Sequence, residues 1–136
     1  MRALVLEDDE VRIQAFQQRF LERGWVGTFV TSARACIERL SSSRYDYVFL
    51  DHDLGGAVNV SPEHRNTGSA VARWWQDTDH PNRSARVIVH SANPVGAEYM
   101  AHAIYGSVRI PFVWTAPKFR ILDEPECTIW DGTPHS

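Results

Sequence analysis

Cysteine is scarce in this chain, with two in 136 residues. Cys36 falls inside an expected helix and Cys127 near the end, a spacing that builds neither a zinc site nor a disulfide framework. Both are read as plain thiols. No apolar run approaches the roughly 20 residues that span a bilayer, and Met1-Arg2 leads into an apolar strand without the hydrophobic region and cleavage site of a signal peptide. A cytoplasmic protein with no membrane partner is expected. A large excess of one charge is missing too, since 14 Lys+Arg stand against 17 Asp+Glu for a formal charge of -3. Without a basic cluster, duplex DNA is excluded as a partner, while a small phosphorylated ligand stays open. Internal repeats and low-complexity stretches are absent. The chain does have 43% hydrophobic and 23% charged residues, the composition of a globular protein long enough for one core.

Apolar runs alternate with stretches of helical spacing. Ala3 to Leu6, Trp25 to Val30, Tyr47 to Leu50, Arg86 to Val89 and Gly106 to Ile110 read as strands. Between the first two, Val11, Ala15, Phe16, Phe20 and Leu21 give a helix with these residues inward, closed by Gly24. Thr31-Ser32 caps a helix over Ala33 to Leu40 that Ser41-Ser42-Ser43 breaks, and further helices are expected over Gly68 to Gln76 and Val95 to Ile104. Such alternation predicts an α/β fold with a parallel sheet covered on both faces. Gly55 to Thr67, about 13 residues without a period, is a loop long enough to suggest a function. After Phe112, Pro117, Pro125 and Pro134 with Trp114 and Trp130 leave no room for an amphipathic helix, so an extended tail is expected.

In a doubly wound sheet the carboxyl ends of the strands share one edge. Three polar clusters fall there: Glu7/Asp8/Asp9, Asp51/His52/Asp53 and His90/Ser91/Asn93. Carboxylates gathered at one edge repel unless a cation is shared, and hard oxygen ligands suit Mg²⁺ or Mn²⁺. Glu7, Asp8, Asp51 and Asp53 are the candidate ligands. His52 and His90 titrate near neutrality and can form a general acid and base pair, with Ser91 as a third catalytic candidate. Arg65, Asn93 and Arg109 are candidates for holding substrate. Plainer roles compete: Asp8 or Asp9 as a helix cap, Asn93 before Pro94 as another, His52 as a structural histidine pointing away from its two aspartates, and His64 as a solvated loop residue.

Leu4-Val5-Leu6-Glu7-Asp8-Asp9-Glu10, Tyr45 to Asp51 and Val87 to Ala92 resemble the first, third and fourth strands of response-regulator receiver domains. This resemblance implies a flavodoxin-like, CheY-like three-layer sandwich over residues 1–112, five parallel strands in order 2-1-3-4-5, and a Pro/Trp extension over 113–136 packed on the same domain in place of the last receiver helix. It also implies that Glu7 and Asp8 form an acidic metal-site pair, Asp51 is the phosphoacceptor and Ser91 is the hydroxyl residue of strand four. Ile110 stands where receivers carry the lysine that contacts the acyl phosphate, which argues against phosphorelay switching. Asp51-His52-Asp53-Leu54-Gly55 with Thr67-Gly68, and His90-Ser91-Ala92-Asn93-Pro94-Val95-Gly96, resemble the receiver offshoot called the cyclic-phosphate processing receiver domain. That resemblance implies a phosphoesterase in which His52 and His90 act on a cyclic nucleotide or a 2′,3′-cyclic RNA end. The alternatives are a receiver phosphorylated on Asp51, or a non-catalytic receiver binding a nucleotide, or a protein partner through Trp114, Phe119 and Trp130.

Overall fold

A computed structural model describes residues 1–54, 61, 64–90 and 93–109. The strands are β1 (Arg2–Leu6), β2 (Val26–Val30), β3 (Tyr47–Leu50), β4 (Arg86–Val89) and β5 (Val108–Arg109). Between them lie α1 (Glu10–Arg23), α2 (Ala33–Ser42), α3 (Gly68–Asp77) and α4 (Pro94–Ala103). The strands form one sheet in the order β2-β1-β3-β4-β5, and every pair is parallel. This is the flavodoxin-like arrangement expected from the sequence. Ile110 and the tail lie outside the described residues.

Each helix begins where a short polar side chain can satisfy an unpaired backbone N–H. Asp9 accepts from the Arg12 amide, Ser32 from Ala35, Thr67 from Ala70 and Asn93 from Gly96. Gly24 ends α1 at φ 69°, in the left-handed region that favours glycine. The serine run was expected to stop α2 at Leu40, yet the helix continues through Ser42. The hydroxyls of Ser41 and Ser42 bond back to the carbonyls of Ile37 and Glu38, so two residues that often break helices are accommodated here.

The alternation of side chains along the strands divides the core in two. Leu4, Leu6, Val48, Leu50, Val87 and Val89 face α2, α3 and α4, where they meet Cys36, Leu40, Val71, Trp75 and Met100. Ala3, Val5, Tyr47, Phe49 and Ile88 face the other way and meet Phe16 and Phe20 of α1. Of the five α1 residues expected inward, Phe16 and Phe20 are buried, Ala15 is half-buried, and Val11 and Leu21 are 72% and 77% exposed. The stripe that α1 offers the sheet is narrow and aromatic, with Phe16 edge-on to Phe49 at 5.1 Å between ring centres.

Candidate functional site

Register assembles the site. Leu6 pairs with Leu50, and Leu50 with Val89. The next residue on each strand, Glu7, Asp51 and His90, therefore stands at one level and on one face, the α1 face. Backbone bonds hold the row: the Asp51 amide donates to the Leu6 carbonyl and the His90 amide to that of Leu50. Glu7 and His90 are fully buried and Asp51 nearly so.

Glu7 accepts four hydrogen bonds. Its Oε2 takes the backbone amides of Asp8 and Asp9 at 3.0 and 3.1 Å, and its Oε1 takes His90 Nε2 at 3.2 Å and Arg12 Nη1 at 3.4 Å. The same Arg12 nitrogen lies 3.7 Å from Asp51 Oδ2. Phe16 packs against the His90 ring, with centres 5.3 Å apart. Burial opposes the Glu7 charge, but the His90 hydrogen bond and charge, the Asp9 amide and Arg12 outweigh it and hold Glu7 below the usual carboxylate range. Asp51 goes the other way. Burial first, and the Glu7 charge beside it, push its carboxyl up to about 7 against the pull of His90, the His52 amide and Arg12.

His52 occupies the opposite face. Its ring lies against Gly96 of α4, so closely that a Cβ at Gly96 would overlap it. Its Nδ1 is 2.8 Å from Asp53 Oδ1. Asn93 Nδ2 donates to the same Asp53 oxygen at 3.0 Å, while Asn93 Oδ1 accepts from the Gly96 amide and so fixes the amide's orientation. Nδ1 thus faces a carboxylate oxygen and also lies 3.2 Å from Asn93 Nδ2, while the buried Nε2 has no hydrogen-bond partner among the described residues.

The structure places His52 and His90, expected as a pair, on opposite faces of the sheet. Asp51, not His52, is the residue level with His90, and one position along a strand reverses the face. His90 joins the acids next to α1, while His52 is buried beside α4. Asp53, expected among the metal ligands, turns to His52 and Asn93, because β3 ends at Leu50, the chain bends at His52, and Asp53 forms an isolated bridge with Thr67. Asp8 is half-buried and falls outside the close ligand group. Asn93 caps α4 and braces His52. Arg109 is exposed, with its guanidinium on the Pro94 carbonyl, and Arg65 is exposed between His64 and Asn66. Ser91 lies outside the described residues. The sequence reading missed Arg12, whose only signal was its place in the first turn of a helix that starts directly beyond Glu7.

Among the described residues, Glu7, Asp51 and His90 each offer a ligand atom, all within 4.8 Å of one another. Two carboxylates and an imidazole at that spacing fit a divalent ion, the carboxylates matching Mg²⁺ or Mn²⁺ best. Adding either ion is expected to raise the melting temperature, and Asp51→Ala to remove most of the rise. Equal melting temperatures in EDTA and in excess Mg²⁺ would refute a metal site.

The family model described as the cyclic-phosphate processing receiver domain matches residues 3–106. The chain belongs to this family. No curated protein matches it significantly. Solved receivers share the fold of this cyclic-phosphate processing receiver domain at low identity. A sensor histidine kinase receiver from Pseudomonas aeruginosa PAO1, described with a magnesium ion coordinated in its active-site cleft, is 18% identical over 97% of this chain and 98% of its own, at TM-score 0.67. The non-phosphorylated HemR receiver from Leptospira biflexa is 14% identical over 99% and 97%, at TM-score 0.68. A Burkholderia pseudomallei response regulator with a phosphorylated aspartic acid is 13% identical over 94% and 69%, at TM-score 0.65.

Proposed function

We propose that this receiver domain opens a cyclic phosphate, a 2′,3′-cyclic nucleotide or RNA end, at the pocket where Glu7, Asp51, His90 and Arg12 meet. The observation that carries the reading is His90 on the Asp51 face, which gives a chain of this family a proton-carrying imidazole beside two acids and a guanidinium. Water adds to phosphorus and the ring P–O bond breaks. His90 takes the water proton and returns one to the departing ring oxygen, while Arg12, at the edge of the pocket, binds a phosphoryl oxygen. Glu7 and Asp51 are the residues that would hold a divalent ion, whose chemistry is to offset negative charge on the phosphoryl group. His52 acts through others, since its Asp53 and Asn93 contacts position the loop after β3 against α4.

Incubation with 2′,3′-cyclic mononucleotides and Mg²⁺ is expected to yield a nucleoside monophosphate. His90→Gln should lower the rate about 10²-fold or more, and His52→Gln far less. Equal losses at the two histidines would refute the single-pocket mechanism. Absence of product from every cyclic substrate would refute the activity.

A second reading has its own support. Asp51 directly follows β3 beside an acid and a guanidinium, a setting in which its carboxylate could accept a phosphoryl group, although Ile110 stands where receivers carry lysine. A stoichiometric adduct with acetyl phosphate or beryllofluoride, lost in Asp51→Asn, would favour that reading over the enzyme.

A further inference from the structure

We propose that Arg12 is a resident cation that competes with a divalent ion for the carboxylates of Glu7 and Asp51, and so sets the metal affinity of the site. A carboxylate has about four lone-pair positions. Those of Glu7 are matched by four donors: the amides of Asp8 and Asp9, His90 Nε2 and Arg12 Nη1. An ion that binds Glu7 must displace one of them. The two amides are fixed by the backbone that leads from β1 into α1. His90, itself a candidate ligand, is fully buried just past β4 against Phe16 and has no room to leave the site. Arg12 is the donor able to leave. Its side chain is 27% exposed, its contacts of 3.4 and 3.7 Å are longer than the 3.0, 3.1 and 3.2 Å bonds of the other three donors, and its long stem can carry the guanidinium into solvent while the Asp9 cap keeps its backbone in place. The metal and Arg12 also repel each other at these buried acids, so the two hold the carboxylates in alternation, and the guanidinium that leaves them is the one offered to a phosphoryl oxygen. When the ion is absent, Arg12 supplies the positive charge that keeps Glu7 and Asp51 side by side.

The inference rests on the metal part of the proposed function, and Mn²⁺ titration of the full chain by calorimetry separates the two. Arg12→Gln is expected to bind Mn²⁺ at least about tenfold tighter than the parent chain, and to melt at a lower temperature in EDTA. Arg12→Lys, which keeps the charge, should bind close to the parent. If Arg12→Gln does not fold without metal, its recovery on added Mn²⁺ is followed by circular dichroism, with a midpoint below the parent Kd expected. Equal or weaker binding by Arg12→Gln, or no recovery, would overturn the inference. Mn²⁺ binding by the parent that is lost in Asp51→Asn but does not tighten in Arg12→Gln would overturn it while leaving the metal reading intact. No Mn²⁺ binding by any variant would overturn both.

Discussion

Replacing Gly96 by alanine is expected to destabilise the protein by about 2–4 kcal/mol, lowering the melting temperature by roughly 10 °C. Gly96 lies in the first turn of α4, where alanine would ordinarily improve a helix. Here the added methyl would occupy the position of the His52 ring. The ring has little freedom to yield, because Asp53 holds its Nδ1 and Asn93 braces Asp53 while capping the Gly96 amide. Relief requires either moving α4 away from β3, which opens the core around Met100 and Ala97, or expelling a fully buried imidazole. Urea unfolding measures the loss. A change within 0.5 kcal/mol would show that α4 is not seated on His52.

Asp51→Asn is expected to stabilise the protein at pH 8 in EDTA while leaving it nearly unchanged at pH 4. The Asp51 pKa is raised from 3.8 to about 7 in the folded state. Between those values the folded protein binds a proton that the unfolded chain has released, so stability falls as pH rises through this window and stays lower above it. Asparagine carries no charge to bury, so it gains the advantage at alkaline pH. Added Mg²⁺ should reverse the ranking, because only the aspartate can gain from the ion. Thermal melts of both proteins from pH 4 to pH 8, with and without Mg²⁺, check the result. A parent chain equally stable across that range would place Asp51 in water rather than in the buried row with Glu7 and His90.

Much of the fold can be read without coordinates. A strand buried on both faces must be apolar along its whole length, as Ala3 to Leu6, Tyr47 to Leu50 and Val87 to Val89 are, and the cap residues Asp9, Ser32, Thr67 and Asn93 mark helix starts within a residue. These are local properties. Spacing alone failed where packing decides: Val11 and Leu21 fit the helical period but lie beyond the narrow stripe that α1 buries, and the α2 serines found backbone acceptors that hold the helix together.

For the site, the sequence by itself determined that acids and histidines gather at the carboxyl ends of β1, β3 and β4, because parallel topology brings those ends together however far apart they lie in the chain. Which of them face one another was decided by tertiary structure. Register set Asp51, rather than His52, level with His90, and the two-residue period of a strand then put the histidines on opposite sides of the sheet. The end of β3 at Leu50 and the bend at His52 took Asp53 from the acids and gave it to His52 and Asn93. Arg12 reaches the acids from the first turn of α1, which the packing of Phe16 and Phe20 holds against the sheet and which no pattern near Arg12 itself announces.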